Sequence, residues 1–220
     1  MRQLLLDFTQ APAPTFENFV HGGNAELYHA LESAMKGELP EHVIYVWGEP
    51  GAGKTHLLKA FSEAGGSRRY LPAAQFDGGQ LAATMALDDI ERLSESAQVA
   101  LFNAFNDRAF ACLLVSAGSA PRDVPIRRDL ATRLATGLTY RVLQLTDDEK
   151  REALAAHAKT RGFALSEEVS SYLLTHARRD MGSLMAALDA LDRYSLETGR
   201  PITVPLLKAA IQAPLSLGSE

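Results

Sequence analysis

Cysteine is nearly missing from this chain: Cys112 is its one thiol, so no internal disulfide can staple the fold and a packed core must hold it. Cys112 stands in the apolar run Ala111-Cys112-Leu113-Leu114-Val115, which predicts a buried structural thiol and fits a reducing cytoplasm. An excess of basic charge is missing too. The net charge of −5 provides no global field toward DNA, RNA or an anionic membrane, and no direct sequence-specific DNA binding is expected. No apolar run approaches the roughly 20 residues that cross a bilayer. The single arginine and three leucines before Asp7 are too short for the apolar centre of a signal peptide. Internal repeats and low-complexity tracts are also lacking. These absences predict a soluble cytoplasmic protein. Its 220 residues, 46% of them hydrophobic, suffice for one substantial core, or one core and a small satellite domain.

What is present centres on Gly48-Glu49-Pro50-Gly51-Ala52-Gly53-Lys54-Thr55, which fits G-x-x-x-x-G-K-[ST] at every fixed position. Before it, residues 42–47 form a β-branched and aromatic run that reads as a buried strand. After it, residues 54–64 read as a helix with Leu57, Leu58 and Phe61 on one face. Strand, glycine loop and helix form the setting in which such a loop cradles the phosphates of a nucleotide. The glycines let backbone N–H groups converge without Cβ clashes, and the helix N-terminus adds positive potential. Lys54 is then placed to reach the β- and γ-phosphates and Thr55 to offer its hydroxyl to Mg²⁺. Residues 48–55, with the adjacent His56, form the candidate binding set for ADP or ATP.

Downstream, Ala83-Thr84-Met85-Ala86-Leu87 reads as a strand ending in Asp88-Asp89. Beside a phosphate loop this is the second nucleotide motif: Asp88 holds Mg²⁺ through water and Asp89 orients an attacking water. Residues 94–108 predict a helix with Val99, Leu101, Phe102 and Phe105 on its apolar side. Residues 111–116 predict a continuous apolar strand of the kind a parallel sheet covers on both faces. Ligands of such sheets sit beyond the carboxyl ends of the strands. Ser116 and Ser119 fall there, either as polar sensors of a γ-phosphate or as residues that only turn the chain. A short strand over residues 69–72, a helix over 25–36 capped by Gly37, a helix over 127–134 and a fifth strand over 139–145 complete the pattern. Residues 73–82 are left as loop or short helix.

From Thr146 the periodicity is purely helical. Thr146-Asp147-Asp148-Glu149 has the form of a capping box, and Gly162 and Gly199 are stop signals. Helices are expected to Gly162, from Ser166 to Arg178, from Met181 to Thr198 and from about Thr203 to Ala213. The third should bury Met181, Leu184, Leu188 and Leu191. The expected organisation is an N-terminal peptide and tether over 1–14, an α/β nucleotide-binding domain over 15–145 and a small helical domain over 146–220. The apolar start, Met1 to Phe8, reads as a frayed end, an edge strand, or a peptide that docks extended in a partner's groove through Gln3, Leu4, Leu6 and Phe8. The stretch Thr9 to Pro14 reads as a tether.

Together these pieces resemble the AAA+ ATPases, and within them the DnaA branch. Thr15-Phe16-Glu17-Asn18-Phe19-Val20, Leu87-Asp88-Asp89-Ile90 and Asp129-Leu130-Ala131-Thr132-Arg133-Leu134-Ala135-Thr136-Gly137-Leu138 resemble segments of that branch in the same order. The resemblance extends from Thr15 to Ala213. It implies an α/β P-loop NTPase core with a five-stranded parallel sheet and a C-terminal helical lid, with Phe19 and Val20 at the adenine base. DnaA continues into a helix-turn-helix DNA-binding domain, for which an end at Glu220 leaves no room. It also carries an extra helix between its second strand and acid pair, where this sequence has only residues 73–83. These differences resemble the Hda family, the DnaA regulatory inactivators. That family begins with a clamp-binding peptide of the form Gln-Leu-x-Leu-x-Phe/Leu, which Gln3-Leu4-Leu5-Leu6-Asp7-Phe8 fits.

What the resemblance implies is a negative regulator of replication initiation. Its partners would be the sliding clamp (β subunit) of DNA polymerase III and DnaA, to whose ATP site Arg133 would lend an arginine finger. A homodimer or higher assembly is compatible with such a finger. Two positions depart from the family pattern. Gly182 occupies the second-sensor position, with Arg179 the nearest candidate but on a different helical direction. Gly118 occupies the place of the first sensor's polar residue. Both imply weak intrinsic hydrolysis and a nucleotide that is held. The alternatives are an autonomous AAA+ ATPase, such as a DnaC-type helicase loader with strong turnover dependent on Asp89, and a membrane- or DNA-bound scaffold, which the acidic balance opposes.

Overall fold

Runs of β-branched and apolar residues become strands here because each is short, continuous and bounded by glycine, proline or acidic residues. The computed structural model of the chain describes residues 13–64 and 66–212, except for the side chains of 210–212. Gln3, Leu4, Leu6 and Phe8 lie outside the described residues. Strands Val43–Trp47 (β1), Arg68–Pro72 (β2), Thr84–Asp88 (β3), Cys112–Ala117 (β4) and Leu138–Arg141 (β5) form one parallel sheet in the order β2-β3-β4-β1-β5. Helices Ala25–Lys36 (α1), Lys54–Glu63 (α2), Glu95–Asn106 (α3) and Arg128–Leu134 (α4) belong to the same unit, which runs from Pro14 to Gln144.

Alternation along the central strands sorts their side chains to two cores. On one face Tyr45, Met85, Leu87, Leu113 and Val115 pack with Leu101 of α3 and with Leu130 and Leu134 of α4. On the other, Ile44, Val46, Ala86 and Leu114 pack with Leu27 and Leu31 of α1 and with Leu57, Leu58 and Phe61 of α2. Cys112 is buried and its thiol is pushed up to about 11 by desolvation, so it stays protonated and unreactive near neutrality.

Within this unit, the expectations for the fifth strand and for the apolar side of α3 change. The fifth strand, predicted over 139–145, ends at Arg141. Its neighbour β1 turns into the glycine loop after Trp47, and only Val142 N–H still finds a strand carbonyl, that of Trp47 at 2.7 Å. Asn24 then takes over: Leu143 N–H donates to its Oδ1 at 2.7 Å, and its Nδ2 donates to Leu143 O at 2.9 Å. In α3, Val99 is 38% exposed. The buried stripe is Ala97, Leu101 and Ala104 at helical spacing, with Phe102 and Phe105 packed half-buried at its margin.

The end of α3 is a Schellman turn. Ala109 N–H donates to Ala104 O and Arg108 N–H to Phe105 O, and Arg108 takes the left-handed position at φ 53. A residue with a Cβ is about 1 kcal/mol less comfortable there than glycine.

From Leu145 the chain belongs to a second, all-helical unit: Asp147–Thr160 (α5), Glu167–His176 (α6), Met181–Thr198 (α7) and Val204–Gln212 (α8). Its core gathers Leu154, Val169, Leu173, Leu184, Leu188, Leu191, Leu206 and Leu207. Met181 is only half-buried against that core. The capping box at Thr146 forms, with Glu149 N–H donating to Thr146 Oγ1 and Thr146 N–H to Glu149 Oε2. Arg161 ties α5 to α7 through Asp189 and Asp192, and His157 reaches Asp189 at 2.7 Å. Among the described residues no helix is long and apolar enough to cross a membrane.

Candidate functional site

Residues 48–55 leave the carboxyl end of β1 and turn directly into α2. Gly48 sits where a Cβ would come within 2.5 Å of Val142 O, so the loop can hug the chain leaving β5 only without a side chain. Gly53 is left-handed at φ 99, and a Cβ there would meet the Phe19 ring at 3.0 Å. The Lys54 ammonium folds over the loop, donating to Gly48 O at 2.6 Å and Glu49 O at 3.1 Å. Gln144 Nε2 donates to Pro50 O at 2.8 Å. Thr55 is exposed in the first turn of α2, where helix geometry leaves backbone N–H groups without intrahelical acceptors. The loop and the first turn of α2 therefore supply N–H donors, a cation and a hydroxyl in neighbouring residues.

An aromatic bay flanks it. Thr15 and Asn18 cap each other's backbone, Thr15 N–H to Asn18 Oδ1 and Asn18 N–H to Thr15 Oγ1, which turns Phe16 inward and leaves Phe19 beside Gly53. Phe16 meets Tyr28 edge-on at 5.5 Å between centroids, and His21 lies 3.8 Å from the Tyr28 ring. The Phe19 and His56 rings are 5.5 Å apart, and Val20 is half-buried next in sequence. His56 Nε2–H donates to Thr15 O at 2.9 Å.

Burial lowers the His56 pKa below its ordinary 6.5, and the bond to Thr15 offsets this only in part. The unfolded chain therefore binds the extra proton more readily. Stability from this group is complete above about pH 6.5 and declines as pH falls below it. Urea unfolding midpoints of the parent should drop more between about pH 7.5 and pH 5.5 than those of His56→Gln; parallel profiles would remove His56 from the pH dependence.

The acid pair closes the other side. Asp88 is 5% exposed, and both of its oxygens are engaged: the Ser116 hydroxyl donates to Oδ1 at 2.5 Å and Tyr70 OH to Oδ2 at 2.9 Å. Ser116 Oγ in turn accepts the Asp89 N–H at 2.9 Å. Asp89 is half-buried in left-handed backbone at φ 58, with its carboxylate 3.7 Å from Arg92 Nε. Ser116 is fully buried and acts as the brace of the acid pair. Ser119 contributes its carbonyl, which accepts the Tyr45 hydroxyl at 2.9 Å. Glu91 Oε1 accepts the Gly118 N–H at 2.9 Å, while its Oε2 is buried without a hydrogen-bond partner.

Tyr70 and Glu91 escape sequence reasoning. Tyr70 reaches Asp88 because it pairs with Ala86, two residues before Asp88 on the same face of β3, and only the strand register reveals that. Burial and the Asp88 charge push the Tyr70 phenol above its ordinary range, so it remains a donor.

Loop 48–55, Asp88, Asp89 and Ser116 thus converge at the carboxyl ends of the adjacent strands β1, β4 and β3. Arg133 is elsewhere. It is exposed in the last turn of α4 and lines an open groove of about 750 Å³ with His42, Val43, Phe105, Asn106, Arg108 and Phe110. His42 and Phe110 immediately or nearly precede β1 and β4, so this groove is at the opposite, amino-terminal end of the sheet. Arg179 is in the helical unit, ion-paired with Asp147 of α5. Gly182 follows Met181 in the first turn of α7, which Asp180 caps by accepting Ser183 N–H at 2.9 Å.

Comparison with known proteins places this architecture. The sequence model described as the Hda lid domain matches residues 147–211, and that of the bacterial DnaA ATPase domain matches residues 11–70. An uncharacterized protein of Haemophilus influenzae is 33% identical over 225 residues, 94% of this chain and 97% of that one. Domain III of the Thermotoga maritima replication initiation protein DnaA superposes with a TM-score of 0.70 at 23% identity, over 92% of this chain and 98% of that one. AMPPCP-bound DnaA from Aquifex aeolicus gives 0.69 at 22%, over 86% and 68%. A Thermotoga maritima RuvB variant gives 0.67 at 18%, over 90% and 71%. At these identities the solved structures establish a shared AAA+ fold. A relative aligned along nearly the whole chain, with an Hda-type lid and a DnaA-type ATPase domain on one polypeptide, shows that the protein belongs to the Hda family of DnaA-related AAA+ proteins.

Proposed function

We propose that this protein is a nucleotide-bound adaptor that docks on the DNA polymerase sliding clamp and stimulates ATP hydrolysis by DnaA, restraining replication initiation. The observation that carries the reading is the separation of Arg133 from the chain's own glycine loop. They belong to opposite ends of β1, a five-residue strand that spans roughly 16 Å. The Arg133 guanidinium has no hydrogen-bond or ion-pair partner among the described residues. An exposed arginine so placed is free to reach a nucleotide on another molecule, and the family relationship supports DnaA as that molecule. A finger of this kind stabilises charge developing on the γ-phosphoryl group as it transfers to water.

The chain's own loop supports binding of ADP or ATP. In this reading, the convergent N–H groups of residues 48–55 and the Lys54 ammonium hold the phosphates, and Phe19 and Val20 meet the base beside His56. For Mg²⁺, the available donors are oxygens, from the Thr55 hydroxyl and from Asp88 through water, which suits a hard cation. Among the described residues no three His, Cys, Asp or Glu side chains cluster to hold a metal alone, so nucleotide oxygens would complete the set. When bound, the ion neutralises charge on the β- and γ-oxygens. Asp88 fits this task because Ser116 and Tyr70 fix its orientation. Asp89 is the candidate to orient water, but the family's two sensor positions are Gly118 and Gly182, which have no side chain to contribute. The proposed outcome is retention of nucleotide with slow intrinsic turnover.

The test is DnaA ATP hydrolysis measured with and without this protein and with clamp loaded on DNA. Acceleration dependent on both is expected; none at saturating protein would sink the adaptor reading. Gln3→Ala should weaken clamp binding at least about tenfold, as loss of an anchoring contact does, while nucleotide affinity is unchanged. Equal clamp affinity in that variant would show that the N-terminal peptide is not the docking element.

A further inference from the structure

Among the described residues, left-handed backbone falls to glycine at three helix ends and to an arginine at a fourth. α1, α5 and α7 run out through Gly37, Gly162 and Gly199 at φ 71, 87 and 64. α3 closes with the same kind of turn but places Arg108 at the strained position, at φ 53. Attraction between a cation and the helix C-terminus does not account for this, because an arginine elsewhere in the last turn gains it with ordinary backbone. Strain retained at one residue points to a use for its side chain.

Position 108 is distinguished by the Arg133 groove. Arg108 and Arg133 line it together, with Phe105, Phe110, Asn106 and His42 and with no carboxylate. Both arginines are exposed, and neither guanidinium has a hydrogen-bond or ion-pair partner among the described residues. Two like charges in one groove are best satisfied when an anionic group enters. The supports of the two side chains differ. Arg133 stands on a helix, the fixed mounting that suits a group meeting charge in a transition state. Arg108 stands on a turn, which suits docking and electrostatic steering.

We propose that Arg108 is a second partner-facing cation of this groove, which docks an acidic side chain on the DnaA surface beside the bound nucleotide; this rests on the reading that Arg133 acts on DnaA. Arg108 is a positioning residue: it sets how readily the complex forms, and Arg133 sets how fast hydrolysis then proceeds.

The experiment titrates the parent, Arg108→Asn, Arg108→Gly, Arg108→Lys and Arg133→Ala against DnaA ATP hydrolysis with clamp on DNA. Asn and Gly accept left-handed backbone, so both variants should melt at or above the parent's temperature. Each should need about tenfold more protein for half-maximal stimulation while reaching the parent's maximal rate, and the gap should narrow as salt is raised. Arg108→Lys should recover most of the loss. An unchanged half-maximal concentration in Asn and Gly overturns the proposal, as does a lower melting temperature for both. A fall in maximal rate alone overturns the docking role and assigns Arg108 to the nucleotide. If Arg133→Ala loses stimulation while the Arg108 variants match the parent, only the docking claim fails. If Arg133→Ala stimulates fully, the reading beneath it fails as well.

Discussion

Arg133→Ala is expected to lower the stimulated rate of DnaA ATP hydrolysis by about 10³-fold or more, the scale on which arginine fingers act, and to leave the fold intact. The Arg133 side chain is exposed and unpaired among the described residues, so its truncation should change stability by no more than about 0.5 kcal/mol. The underlying helix is secured by neighbours on its inner face, Leu130 and Leu134, both fully buried. Single-turnover hydrolysis on DnaA, with a thermal melt of the variant alone, separates lost chemistry from lost structure. A variant that melts normally and still stimulates fully would transfer the finger to another residue. Arg133→Lys is an informative companion. It preserves charge but not the planar fork that can contact two phosphate oxygens, so it should recover little of the rate.

Gly137→Ala should be the most damaging single methyl group in the α/β unit. A Cβ at Gly137 would lie 2.1 Å from Val43 O and 2.7 Å from both Val43 C and Val43 Cβ. These atoms belong to β1, which is hydrogen-bonded to β4 on one side and β5 on the other, so they cannot retreat without disturbing the centre of the sheet. We expect a loss of about 3 kcal/mol or more, read as a lower urea midpoint at unchanged slope. Gly199→Ala is the control. It has open space but left-handed backbone at φ 64, so it should lose only about 1 kcal/mol. A loss at Gly137 no larger than that at Gly199 would mean that β1 yields to the added methyl, because Gly137 itself is not in left-handed backbone. The tight turn also joins the last turn of α4 to β5, with Thr136 N–H donating to Arg133 O, so its geometry fixes the residue on which the first prediction depends.

The parts of the fold legible in the sequence are those that local chemistry decides. Continuous apolar runs located β1, β3 and β4 to within about a residue. The Thr146 capping box and the stops at Gly37 and Gly199 fell where expected because caps depend on only a few adjacent residues. Features decided at long range were not legible. The end of β5 depends on the Asn24 side chain, 119 residues away. The tether on Asp88 depends on the register of β2 against β3. Arg108 ran against local reasoning altogether, since nothing in Asn106-Asp107-Arg108-Ala109 announces a left-handed residue. The candidate site was legible as a set of motifs; the roles of Ser116 and Tyr70 as braces of Asp88 were visible only in three dimensions.

The margins of the sheet have a consequence for solubility. Among the described residues β2 and β5 are its outer strands, and a parallel sheet with open margins is a template for strand addition by a second copy. β2 carries Arg68 and Arg69 and ends in Pro72, which has no N–H to offer. β5 is only four residues long and ends in Arg141, whose guanidinium lies 5.4 Å from the Trp47 ring centroid. A strand arriving at one side meets positive charge and a missing donor; at the other it finds too few residues to hold a register. Growth of the sheet into fibrils is thereby discouraged.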